Sequence, residues 1–61
     1  MAKVKTFKNG AWTTIERTPF MGYYVVRVYS PSGNLLDRMV CDTYGMAQEY
    51  LKAFNAIARA A

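Results

Sequence analysis

The run Tyr23-Tyr24-Val25-Val26-Arg27-Val28-Tyr29, followed closely by Pro31-Ser32-Gly33-Asn34, leaves this chain little conformational choice. All but Arg27 are β-branched or aromatic, a composition that suits a pleated, half-buried strand. Proline then fixes φ and glycine supplies a left-handed position, so the chain turns and Leu35 to Cys41 returns alongside. With Pro31 and Ser32 central and Gly33 left-handed, the hairpin has a three-residue loop with a bulge. That register predicts one face with Val28 opposite Leu36, Val26 opposite Arg38 and Tyr24 opposite Val40. The other face pairs Tyr29 with Leu35, Arg27 with Asp37, Val25 with Met39 and Tyr23 with Cys41, bringing opposite charges together at Arg27 and Asp37.

A first hairpin precedes it. Lys3 to Lys8 alternates polar and apolar residues, Asn9-Gly10 follows, and Ala11 to Arg17 is rich in β-formers. Asn-Gly at that point predicts a type I′ turn, which needs φ > 0 at both central residues. Thr18-Pro19-Phe20-Met21-Gly22 reads as a connection. After Cys41 the period changes. Asp42 or Thr43 can cap a helix in which Ala47, Tyr50, Leu51, Phe54, Ile57, Ala58 and Ala61 recur at three- and four-residue spacings. Gln48, Glu49, Lys52, Asn55 and Arg59 form its polar side. The expected fold is a single α+β domain: an antiparallel β-meander of three to four strands (about 3–8, 11–17, 23–30 and 35–41, in two hairpins) packed against one C-terminal α-helix (about 43–60).

At 61 residues this domain has a small core, and its one cysteine and lack of histidine deny it an internal disulfide and all but exclude a structural zinc site. Regular packing or a second chain must supply the remaining stability. The longest apolar run, Phe20 to Val26, is too short for a membrane span, and no signal-peptide segment follows the basic N-terminus, so a cytoplasmic location is expected. One helix covers one sheet face, leaving Tyr23, Val25, Tyr29, Leu35 and Met39 as an apolar face for a protein partner or a homodimer, unless the first hairpin folds across it.

Catalysis is not expected. The acids are Glu16, Asp37, Asp42 and Glu49, none placed as a carboxylate pair, and Cys41 has no histidine to activate it. No Gly-rich phosphate loop exists, and no metal or other cofactor is expected. Binding is the better reading. Of the net charge of +4, three units fall in the first twenty residues, on Lys3, Lys5, Lys8 and Arg17 against Glu16. Lys3, Lys5 and Phe7 share one strand face, a pattern that suits phosphate contacts with stacking, although lysines on an exposed strand also prevent edge-to-edge aggregation.

Gly10 to Arg17, the strand Tyr23–Tyr29, and Thr43, Ala47 and Tyr50 on the helix resemble the three-stranded-sheet-plus-helix domains of AP2-type transcription factors and integrase arm-binding domains. The resemblance covers the chain from about residue 11 onward and implies DNA binding through the sheet face away from the helix, with Trp12, Arg17 and Arg27 as contacts. The expected function is therefore a basic, non-enzymatic binding module for nucleic acid or a nucleoprotein, through Lys3, Lys5, Lys8, Trp12, Arg17 and Arg27. The alternative is a protein-interaction module or inhibitor, similar in size to phage and mobile-element inhibitors such as anti-CRISPR-like proteins.

Overall fold

The computed structural model describes residues 2–20 and 22–61; Met21 of the expected connection lies outside them. Four strands, β1 (Ala2–Thr6), β2 (Trp12–Arg17), β3 (Tyr24–Tyr29) and β4 (Leu35–Cys41), form one antiparallel sheet in the order β1-β2-β3-β4, followed by helix α1 (Tyr44–Ala60). Thr43 rather than Asp42 caps the helix, its hydroxyl accepting from the Met46 N–H at 3.2 Å.

The core is one layer of side chains between sheet and helix. Ile15, Val26, Val28 and Cys41 meet Ala47, Phe54 and Ala58, with Tyr24, Met39, Tyr50 and Leu51 at the margin. Thr13 is also buried there, and its hydroxyl lies 2.9 Å from Asn55 Oδ1, a hydrogen bond that keeps a polar side chain satisfied under the helix. Asn55 thus belongs to the packed side of α1 rather than to its outer polar side.

The second hairpin has the expected turn. Ser30 N–H donates to the Asn34 carbonyl and Gly33 N–H to the Ser30 carbonyl, both at 2.9 Å, with Gly33 at φ 92°. Tyr29 sits opposite Leu35 as expected, but Val28 then pairs with Asp37, so Leu36 is an extra residue in a β-bulge. Every later residue of β4 changes face relative to the sequence-based register. Met39 and Cys41 lie on the helix side opposite Val26 and Tyr24, whereas Val40 and Arg38 lie on the open side opposite Val25 and Arg27. Arg27 consequently has Arg38 rather than Asp37 across from it, and its guanidinium turns to Glu16 on β2 at 3.8 Å. The bulge brings Met39 and Cys41 rather than Arg38 and Val40 to the helix side beside Val26 and Tyr24, where a cation would be desolvated; Asp37, opposite Val28, also turns to that side but stays exposed.

The first hairpin does not use the type I′ turn that Asn9-Gly10 suggests. Phe7 N–H donates to the Ala11 carbonyl at 2.8 Å and Gly10 N–H to the Phe7 carbonyl at 3.0 Å; Gly10 has φ 92°, and no non-glycine described residue has positive φ. The turn is therefore type I followed by a left-handed glycine, as in the second hairpin. Tertiary bonding explains the choice. Asn9 Oδ1 accepts from Ala11 N–H at 2.9 Å, while Nδ2 donates to the Ala58 carbonyl at 2.8 Å and the Ala61 carbonyl at 3.1 Å. Asn9 thereby shapes its own turn and satisfies open carbonyls at the end of α1.

The first hairpin extends the sheet rather than folding across its open face. Four strands spaced ~4.8 Å apart put their outer axes ~14 Å apart, more than the ~10–12 Å width of one helix. Helix α1 accordingly packs over β2, β3 and β4 and stops short of β1. Asn9→Ala is expected to lower the unfolding free energy in urea by about 1–2 kcal/mol. Asn9→Asp should be at least as harmful, because its carboxylate keeps the turn bond but repels the carbonyl end of α1. An unchanged midpoint in both variants would contradict this role.

Candidate functional site

The overhang of β1 creates a trench between the edge strand and the helix. On β1, Lys3 and Lys5 sit opposite Ile15 and Thr13, so they belong to the helix side of the sheet. On α1, Tyr44, Gln48, Leu51, Asn55 and Arg59 follow one another at four- and three-residue spacings, which places them along one flank.

Three clefts lie in this region. One of about 280 Å³ is lined by Lys3, Ile15, Arg17, Tyr24 and Tyr44. The next, about 250 Å³, shares Lys3, Ile15 and Tyr44 with it and adds Lys5, Gln48 and Leu51. The third, about 310 Å³, is lined by Phe7, Lys8, Asn9 and Arg59. Phe7 links the last two: Lys5 Nζ and Arg59 Cζ each stand 5.5 Å from its ring centroid. The result is a strip of five exposed cations, Arg17, Lys3, Lys5, Arg59 and Lys8, with aromatic rings between them. None of the residues lining the three clefts is acidic, and among the described residues no carboxylate is within ion-pair distance of these five. Such a strip can hold a polyanion, because its charges are exposed and uncompensated.

The sequence-predicted contacts are divided between two surfaces. Lys3, Lys5, Lys8 and Arg17 belong to the strip. Trp12 and Arg27 lie on the opposite, open face of the sheet, since Trp12 pairs with Tyr29 and Arg27 pairs with Thr14 across β2 and β3. Arg59, which the helical spacing puts on the outer polar side of α1, lies over Phe7 and completes the strip. Tyr44 also joins it, 46% exposed and edge-to-face with Tyr24 at 5.4 Å. The signal for both was the Tyr44-Gln48-Leu51-Asn55-Arg59 spacing, which defines a flank distinct from the buried stripe.

The open face has another character. Trp12 and Tyr29 stack at 5.0 Å between centroids, Arg27 is held by Glu16, and Val4, Leu35 and Val40 are exposed. Of the expected apolar face, Tyr29 and Leu35 are placed there, and Val25 is also there but buried. Met39 is on the helix side instead, and Tyr23 precedes β3, where its N–H donates to Thr18 Oγ1 at 3.1 Å.

Among the described residues there is no cluster of metal-ligating side chains and no helix long and apolar enough to cross a membrane. Compared with known proteins, the chain matches no family model, no curated protein and no solved structure, so its site must be read from its own geometry. The lone thiol contributes little to chemistry. Cys41 is 1% exposed, and burial first, then the adjacent Asp42 carboxylate, pushes its pKa up. A raised thiol pKa keeps the native state protonated where the unfolded chain ionises, so this contribution to stability is present at neutral pH and is lost as pH rises through the thiol range. Iodoacetamide at pH 7 should therefore leave the native thiol unlabelled and label it readily in denaturant; rapid native labelling would refute this description of Cys41.

Proposed function

We propose that this protein is a non-enzymatic nucleic-acid-binding module whose contact surface is the strip between β1 and α1. The observation that carries this reading is the convergence of Lys3, Lys5, Lys8, Arg17 and Arg59, drawn from two strands, a turn and a helix, along one acid-free trench. Edge protection explains a lysine on β1. It does not explain why Arg59 at the far end of the helix and Arg17 at the end of β2 lie along the same line. Phosphate neutralisation does, because a polyanion rewards charges arrayed along its path. The open face suits this role less well, since Glu16 already occupies Arg27, the Trp12 and Tyr29 rings stack on each other, and Val4, Leu35 and Val40 are exposed there.

Binding to an oligonucleotide should weaken steeply with salt, the logarithm of affinity falling with a slope of about −0.7 to −0.9 for each phosphate engaged. Lys3→Ala combined with Arg17→Ala should weaken binding and flatten that slope, whereas Arg38→Ala on the open face should leave both unchanged. Titration of a labelled oligonucleotide across a salt series checks this. A dominant effect of Arg38→Ala would transfer the function to the open face, and absence of binding at low salt would reject it.

A second reading is favoured by one observation: the face that carries the Trp12–Tyr29 stack also exposes Leu35 beside it and Val4 and Val40 farther along the sheet. We propose that this face meets a protein, with a second copy of the chain as the simplest occupant. In that case the mass in solution is dimeric, and Leu35→Glu returns it to the monomer with the fold retained. A monomer at high concentration would remove this reading.

A further inference from the structure

Resting on the nucleic-acid reading above, we propose that the strip takes a single strand, with a base stacked at the Tyr24–Tyr44 end and the flanking phosphates on Lys3 and Arg17. The shape of the surface argues for this. Reading the bases of a duplex takes an element that projects into one of its grooves. Here the cations line the walls of a trench, and the space between them is recessed between the edge strand and the helix. A strand with unpaired bases can enter such a recess.

The chemistry of the walls agrees. Each cleft combines a cation with an apolar or aromatic wall: Tyr24, Tyr44 and Ile15 beside Lys3 and Arg17, then Leu51 beside Lys5, then Phe7 beside Lys8 and Arg59. A duplex backbone offers nothing to those walls, because its bases are already stacked. An unpaired base offers a π-face, and cationic grooves that alternate with aromatic side chains suit single strands. Phe7 is engaged by Lys5 and Arg59, both 5.5 Å from its centroid, so the half-exposed Tyr44 is the better stacking platform. From Tyr44 to Arg59 the helix flank runs ~22 Å, which limits the occupant to a few nucleotides. Neither a base-edge code nor a sugar preference is built into these residues, so single-stranded DNA and RNA share the chemistry.

Fluorescence anisotropy with the full chain tests this, using a labelled twelve-nucleotide single-stranded DNA, the equivalent RNA, and the matched DNA duplex at low salt. Both single strands are expected to bind at least about tenfold more tightly than the duplex, a margin within what stacking of one base supplies. Unequal single strands would identify the DNA or RNA form as the natural occupant. Tyr44→Ala should weaken single-strand binding about five- to a hundredfold, and Tyr44→Phe, which keeps the ring, should restore it. Polyglutamate, a polyanion without bases, should compete poorly. A duplex bound as tightly as the single strands, or a harmless Tyr44→Ala with intact binding, overturns the single-strand inference while leaving nucleic-acid binding in place. Equal competition by polyglutamate overturns stacking as the basis of selection. Failure of every oligonucleotide to bind overturns both readings.

Discussion

A single layer of apolar side chains between three strands and one helix holds this molecule together, and its one cysteine allows no internal disulfide in support. Its largest member is Phe54, enclosed by sheet residues such as Val26 and Val28 and by its own helix neighbours. Truncation of a buried phenylalanine commonly costs about 3–5 kcal/mol, comparable to the whole stability of a domain this small. The layer cannot be widened, because a helix has a fixed diameter. A fourth strand therefore has to overhang, and the overhang is what opens the trench along β1. The candidate site is a by-product of the same geometry that makes the core.

Within that geometry the charges are sorted. Glu16 is on the open face, Glu49 pairs with Lys52 at 3.7 Å away from the core, Asp37 accepts from its neighbour Arg38 N–H at 2.7 Å, and Asp42 precedes the helix. Removing acids from the trench leaves its cations to repel one another, a cost that a bound polyanion reverses. The net charge of +4 is thus less informative than its distribution, since the same sum spread evenly would serve only solubility.

The number, type and order of elements were legible from the sequence because each local signal agreed with its neighbours: β-branched runs, two glycine turns and a change to helical period at Tyr44. The face of each β3 residue was legible for the same reason. What escaped was anything decided by one residue of tertiary accommodation. The Leu36 bulge exchanged the faces of Met39 and Val40 and dissolved the attractive Arg27–Asp37 pairing: Met39 instead of Arg38 stands beside Val26, Asp37 turns to an exposed position opposite Val28, and one surface ion pair weighs little against that packing. The Asn9-Gly10 dipeptide was correctly a turn but not the expected type, since Asn9 had partners in the helix that local sequence does not reveal. The candidate site was half legible: Lys3, Lys5, Lys8 and Arg17 announce themselves by proximity in sequence, whereas Arg59 joins them only once the helix lies antiparallel to β4.

The tie made by Asn9 also bears on how the chain reaches its native state. Its bonds to Ala58 and Ala61 span 49 and 52 residues, almost the full length of the chain. Most pairings here are local hairpins, which close early because little loop entropy opposes them. The Asn9 latch, by contrast, can close only after the helix has docked. The last tie to form is thus made by the first turn, which clasps the end of the docked helix to the start of the sheet.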